Sequence, residues 1–239
     1  MKLSLLIPVY NEEDILAATL REVSDYMQAV FSDDGEVIFI NDGSKDASAK
    51  ILEECTLPCV RFVSYPENRG KGYAIRRGVE EAKGDVILFT DCDLAYGTSV
   101  IKTFYDVLSA EGAPDIAVGS RAKHPDGYAS YTLKRKIVSR AYLLVLRLFG
   151  GLTLSDSQCG CKGFRSSAAK KIFSLCEVDR FAFDFEAILI AQKMGATFSE
   201  IPVTVKRHGE SKVHIVKDTL RMLRDLRKMK KRIKSLDIK

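Results

Sequence analysis

The sequence predicts an α/β protein: a mostly parallel central sheet with helices on both faces. Three observations carry this expectation. Short apolar runs alternate with segments of helical periodicity through the first half of the chain. The runs are apolar at nearly every position, as strands covered on both faces require. Three of them end in polar clusters, Pro8–Glu12, Asn41–Ser44 and Asp91–Asp93. In parallel sheets, ligands collect at those carboxyl ends.

Leu3–Val9 is the first strand. Its apolar stretch is too short for a signal peptide, and Asn11, Glu12, Glu13 and Asp14 follow at once, so it reads as core. Ile15–Ala29 has helical spacing, and Glu36–Asn41 is strand-like. Ser44 is placed to cap a helix over Ala47–Cys55. Val60–Ser64 reads as a strand, Gly72–Ala82 as a helix and Asp85–Thr90 as a buried strand. The second half is less regular. Ser99–Ala110 is helical, Ile116–Gly119 a strand, and Lys134–Phe149 a helix with a strongly apolar face. Gln158–Arg165 is short and mixed with strand character, Asp184–Lys193 is a helix, and Phe198–Lys206 is extended. His214–Ser235 reads as a long basic amphipathic helix. With no repeat and no low-complexity linker, the expected division is one domain over 1–212 and a C-terminal helical extension over 213–239.

The bulk numbers agree with one globular unit. The chain has 239 residues, 46 % hydrophobic and 29 % charged. Net charge is +5, and Lys and Arg crowd the chain from Arg207 onward. Such a surface suits phosphates, anionic lipid or nucleic acid. Six cysteines include no C-x-x-C pair, and only three histidines are present, which argues against a structural zinc site and for reduced thiols in a cytosolic setting. No run reaches the roughly 18–20 apolar residues of a membrane span. The expectation is a soluble or peripheral protein.

Asp91-Cys92-Asp93 is the most informative motif. Two carboxylates one residue apart at a strand's exit form a hard-oxygen clamp suited to Mg²⁺ or Mn²⁺ held with a diphosphate. Alone, the tripeptide is equally a surface turn. Asp42 stands where a carboxylate can hold a ribose or base edge, and Asn41–Ser44 is also an ordinary strand-to-helix turn. Tyr10 offers a ring to stack and Glu12 a carboxylate, or both simply belong to a loop. Asn68–Gly72 precedes a helix, with glycines that free N–H groups for an anion and Lys71 among them. It has neither Walker nor dinucleotide spacing. Gly119-Ser120-Arg121 ends another strand, and Arg135 and Ser139 lie four apart, able to grip one phosphate from one helix face. The alternative is that Arg135 belongs to a solvated patch with Lys134 and Lys136. The apolar run from Tyr142 to Phe149 and the stripe Ile215, Val216, Leu220, Leu223, Leu226, Met229 fit either core packing or a membrane interface.

Taken together, Pro8–Glu12, Asn41–Ser44, Asn68–Gly72, Asp91–Asp93 and Gly119–Arg121 resemble glycosyltransferase family 2, inverting enzymes with the GT-A (nucleotide-diphospho-sugar transferase) fold. The second half is similar to the polyprenyl-phosphate glycosyltransferases, and Asp156–Phe164 with Phe181–Glu186 match their glucosyl type. Arg207, Gly209, Ser211 and Lys212 match the family's late basic motif. Ala95 stands where the mannosyl type has glutamine, and Cys161 where the glucosyl type has a bulky aromatic.

The resemblance implies roles. Pro8, Tyr10, Glu12 and Asp42 hold the nucleoside, with Lys71 nearby; Asp91 and Asp93 hold the metal and diphosphate; Arg207 and Lys212 close over the donor. Arg121, Arg135 and Ser139 hold the acceptor phosphate, and Asp156 acts near the acceptor. The implied reaction transfers a hexose, glucose from UDP-glucose, to a polyprenyl or dolichyl phosphate at the cytoplasmic face of a membrane, with Mg²⁺ or Mn²⁺ and without nucleic acid. Two competing readings are a family 2 enzyme using GDP-mannose or a soluble acceptor, and a non-catalytic basic protein binding nucleic acid.

Overall fold

The computed structural model describes residues 1–129, 143, 147, 151–180, 182–206 and 228–237. The described strands form one seven-stranded sheet in the order β3-β2-β1-β4-β6-β5-β7. Strands β1 (Leu3–Val9), β2 (Gly35–Asp42), β3 (Val60–Tyr65) and β4 (Val86–Phe89) are parallel neighbours, with Leu5 opposite Val37 and Leu88. The helices between them are α1 (Glu13–Phe31), α2 (Ser48–Glu53) and α3 (Lys71–Glu81). Then come α4 (Ser99–Ser109) and β5 (Ile116–Ser120), followed after a long interval by β6 (Lys162–Arg165), α5 (Ser166–Ser174), α6 (Phe183–Lys193) and β7 (Phe198–Pro202). β6 runs antiparallel between β4 and β5, and β7 lies parallel to β5.

The two-residue period of the strands builds two cores, one on each face. Leu5, Ile7, Val37 and Phe39 point into a cluster closed by Leu16, Val23 and Met27 of α1 and Phe104 of α4. Leu6, Ile38, Ile40 and Ile87 point the other way, against Ala74 and Ile75 of α3, Ile172 and Phe173 of α5, and Ile188 of α6. All eight positions of β2 are buried, which is why its sequence lacks polar alternation.

Three details depart from the sequence reading. Ser44 does not cap α2: its Oγ accepts the Asn11 N–H (3.0 Å), and Asp46 Oδ1 accepts the Ser48 N–H (3.0 Å) instead. An aspartate two residues ahead reaches the first free N–H with less loop than a serine four ahead. α5 has no counterpart in the sequence reading, although its buried residues Ala169, Ile172 and Phe173 stand at the helical i, i+3, i+4 spacing; at nine residues it is too short for that spacing to repeat. The third difference is the antiparallel insertion of β6 between β4 and β5, a pairing of distant segments that local pattern does not carry.

Residues 228–235 are helical, the described end of the expected His214–Ser235 helix. Met229 and Ile233, one turn apart, join the core cluster on the α3–α5–α6 face. This end of the helix therefore packs on the domain. The expected boundary at 212 lies outside the described residues, as does the Lys134–Phe149 helix except for Leu143 and Arg147, both helical. Among the described residues no helix is long and apolar enough to cross a membrane.

Candidate active site at the carboxyl edge of the sheet

The loops after β1, β2 and β4 and the start of α3 meet at the carboxyl edge, as the sheet topology requires. They are tied to one another before any ligand is considered. Asn11 Oδ1 accepts the Lys45 N–H (2.7 Å), and Ser48 Oγ accepts the Glu12 N–H (2.9 Å). Asp42, 3 % exposed at the end of β2, accepts the Arg69 N–H on Oδ1 (2.8 Å) and the Gly70 N–H and Asn68 Nδ2 on Oδ2 (both 2.8 Å). Its carboxylate thus organises the Asn68–Gly70 loop. Pro8 is half-buried in β1, paired with Ile40, while Tyr10 is 39 % exposed and open to a ligand above the edge.

Asp91 and Asp93 follow β4. Asp93 Oδ1 accepts the Ala95 N–H (3.0 Å). Burial first, and then the charge on Asp91, raise the Asp93 carboxyl above its ordinary range. Asp91 lies against Gly160, where a Cβ would overlap its Oδ2 and force the carboxylate to shift. Lys71 Nζ is 2.5 Å from Asp91 Oδ1. Burial acts to lower the lysine's pKa, but Asp91 and Asp184 outweigh it and the net shift is upward. The ammonium stays charged.

The clamp consists of two carboxylates; among the described residues no group of three or more His, Cys, Asp or Glu is arranged to hold a metal. That donor set fits Mg²⁺ or Mn²⁺, which bind through one or two carboxylates and complete their shell with water and substrate phosphates. It does not fit a self-sufficient all-protein metal cage.

Arg121 and Asp156 are brought together behind this edge. Nε and Nη2 of Arg121 meet Oδ2 and Oδ1 of Asp156 at 2.6 and 2.8 Å, and the pair is 8 % and 4 % exposed. The Arg121 and Gln158 N–H groups also donate to the carboxylate. Burial opposes ionisation of Asp156, but the Arg121 hydrogen bonds and charge outweigh it and hold the carboxyl below its usual range. Such a carboxylate is a poor proton acceptor and a good orienter. Among the described residues, buried Ser157 Oγ beside it has no hydrogen-bond partner. Arg135, Ser139, Arg207 and Lys212 lie outside the described residues.

Two charged residues to which the sequence reading gave no role stand in this site. Lys162, 1 % exposed, donates to the Cys159 carbonyl (2.7 Å) and to Asp184 Oδ1 (2.9 Å). The signal was present: a lysine beside Cys161 and Phe164, and an aspartate between Phe183 and Phe185, must find partners if those segments are buried. The nearby thiols are inert. Burial pushes Cys92 up to about 12 and raises Cys159 and Cys161 as well. All six cysteines are free of disulfides.

The family described as glycosyl transferase family 2 matches residues 4–173. A dolichyl-phosphate beta-glucosyltransferase of Trichomonas vaginalis, ALG5C, is 33 % identical over 224 residues, covering 88 % of this chain and 65 % of the relative. Enzymes of the same name from Drosophila melanogaster and Homo sapiens are each 32 % identical, covering 95 % and 94 % of this chain and 73 % and 74 % of their own lengths. Among solved structures, glucosyl-3-phosphoglycerate synthase from Mycobacterium tuberculosis, in complex with Mn²⁺, UDP and glucosyl-3-phosphoglycerate, superposes with a TM-score of 0.69. It is 19 % identical, over 99 % of this chain and 81 % of that one. A complex of the same enzyme with Mg²⁺ and UDP gives 0.68 at 20 % identity. This likeness shows the GT-A fold.

Proposed function

The chain belongs to glycosyl transferase family 2, and on that premise we propose that it transfers glucose from UDP-glucose to a dolichyl-type polyprenyl phosphate with inversion. The observation that carries the reading is the Asp91–Asp93 pair at the exit of β4, faced by Lys71 and backed by the Arg121–Asp156 pair. The relatives named for this reaction cover most of the chain.

The chemistry asks little of a general base. A phosphate monoester, with a second pKa of about 6, is already anionic at neutral pH. This agrees with an Asp156 held ionised by Arg121. Asp156 fixes the guanidinium; Arg121, with Arg135 and Ser139, aligns the acceptor phosphate for attack on the anomeric carbon from the face opposite the nucleotide. Asp42 keeps the Asn68–Gly70 loop shaped for the nucleoside, with Pro8, Tyr10 and Glu12 around it. Asp91 and Asp93 hold Mg²⁺ or Mn²⁺, which when bound offsets charge building on the departing diphosphate. Arg207 and Lys212 add positive charge to the same group. The acceptor's lipid places the work at a membrane surface, on the cytoplasmic face, with basic residues of the C-terminal region toward anionic headgroups.

One assay tests the reading. The protein is incubated with labelled UDP-glucose or GDP-mannose, Mn²⁺, and either a polyprenyl phosphate or a water-soluble phosphate acceptor. Label from UDP-glucose should enter the organic phase. Label from GDP-mannose, or label only on the soluble acceptor, would refute it.

A further inference from the structure

Lys71 leads α3 and reaches along the carboxyl edge to Asp91, its Nζ 2.5 Å from Oδ1. The contact is half-sheltered, the two side chains being 18 % and 39 % exposed. The ammonium thus takes up one oxygen of the carboxylate pair. A third carboxylate, Asp184, is near enough to act on the Lys71 charge. Asp184 lies in the first turn of α6, next to Phe183, whose ring centre is 6.0 Å from the same Nζ. Asp184 Oδ1 accepts from Lys162, and its other oxygen has no hydrogen-bond partner among the described residues. Lys162 cannot turn away, being buried and fixed by the Cys159 carbonyl. Charges therefore alternate along the edge, from Asp93 and Asp91 through Lys71 to Asp184 and Lys162.

We propose that Lys71 is the resident counter-cation of the Asp91–Asp93 clamp, and that its ammonium moves from Asp91 to Asp184 when the clamp takes up a divalent cation. The inference rests on the proposed metal role of Asp91 and Asp93. Two cations on one carboxylate oxygen repel, so Lys71 must leave or weaken the incoming ion. While it stays, it offsets the repulsion between Asp91 and Asp93. The open oxygen of Asp184 gives the displaced ammonium a charged partner instead of bulk water. The device keeps the clamp's affinity for bare cation low, because each ion that binds must first displace Lys71 from Asp91 toward Asp184.

The test is Mn²⁺ binding to the metal-free chain without nucleotide, by paramagnetic resonance of free Mn²⁺ or by calorimetry. Lys71→Met should bind Mn²⁺ about fivefold tighter, the worth of one partly exposed ion pair, with Lys71→Gln as a second neutral variant. Lys71→Arg should resemble wild type, and Asp91→Asn should lose binding. Asp184→Asn should weaken Mn²⁺ binding in the wild-type background and change it little beside Lys71→Met. If Asp184→Asn leaves Lys162 stranded and the chain unfolded, Lys162→Met/Asp184→Asn serves instead. Wild-type affinity in Asp91→Asn would sink the metal role itself. Loss in Asp91→Asn with no gain in either neutral Lys71 variant would overturn only the counter-cation. An equal effect of Asp184→Asn in both backgrounds would show a distant charge and overturn its part as the receiving group.

Discussion

Burial and the Asp91 charge disfavour ionisation of Asp93, so without a cation this carboxylate works against the fold. Asp93→Asn should melt a few degrees higher than the metal-free wild type while losing turnover; a lower melting temperature would contradict this. Asp91→Asn should lower kcat by about 10²–10³, the usual loss when one stabiliser of developing charge is removed, with an unchanged circular dichroism spectrum. Asp156 behaves oppositely, since its ionised form is the one the fold prefers. Asp156→Asn leaves Arg121 buried without its counter-charge, at a cost of about 3 kcal/mol, read from urea unfolding. Glu36 shares this sign: burial opposes its charge, but Arg61 and Ser4 prevail and the net shift is downward. A group depressed in the fold stabilises above its unfolded pKa and loses that contribution as pH falls through the folded value. With ordinary values of 4.5 for Glu36 and 3.8 for Asp156, stability should hold down to pH of about 4.5 and decline below it. Thermal melts across pH 3–7, an interval of about that reach, check this. The clamp was readable as two acids after an apolar run, whereas the partners of Asp42 and Asp156 were not: Asp42 meets its donors 26 to 28 residues away and Asp156 its arginine 35 away.

At the scale of elements, the described end of the C-terminal helix is latched rather than merely apposed. Arg232 Nη2 pairs with Glu186, fully buried on α6, and Nη1 donates to the Leu175 carbonyl at 2.9 Å. Glu186 also accepts the Glu177 and Val178 N–H groups at 2.9 and 2.8 Å. Lys193 Nζ caps the helix end by donating to the Ile233, Lys234 and Leu236 carbonyls at 2.7, 2.9 and 2.6 Å. The 175–180 loop so held touches the start of α3: the Tyr73 N–H donates to the Asp179 carbonyl (3.1 Å), and Gly72 lacks a side chain where the Val178 carbonyl packs. Arg232→Met should cost about 3 kcal/mol by leaving Glu186 charged and unpaired, lowering the urea midpoint without changing the slope. Adding Glu186→Gln should recover much of the loss, because the penalty belongs to the stranded charge. The apolar stripe was legible as a stripe. Its partner was not, because the same i, i+4 spacing serves a protein core and a lipid surface equally.

For the molecule as a whole, a net charge of +5 with its basic excess late in the chain predicts reversible attachment to anionic membranes. The protein should co-float with phosphatidylserine-containing vesicles at low salt and be released as salt shortens the Debye length from about 10 Å at 0.1 M toward 3 Å at 1 M. Salt-insensitive flotation would point to apolar insertion instead. The sequence by itself determined the α/β alternation, the four parallel strands of the first half and the carboxyl edge where the polar clusters converge. Those follow from local periodicity and from the rule that parallel strands present their ends on one side. Only the tertiary structure decided that β6 inserts antiparallel, that Asp42 is bound to the 68–70 loop, that Lys71 rests on Asp91, and that Met229 and Ile233 pack on the domain. Each of these is a contact between residues far apart in the chain. Local pattern records that a side chain must be buried or paired, but carries no information about which distant group will meet it.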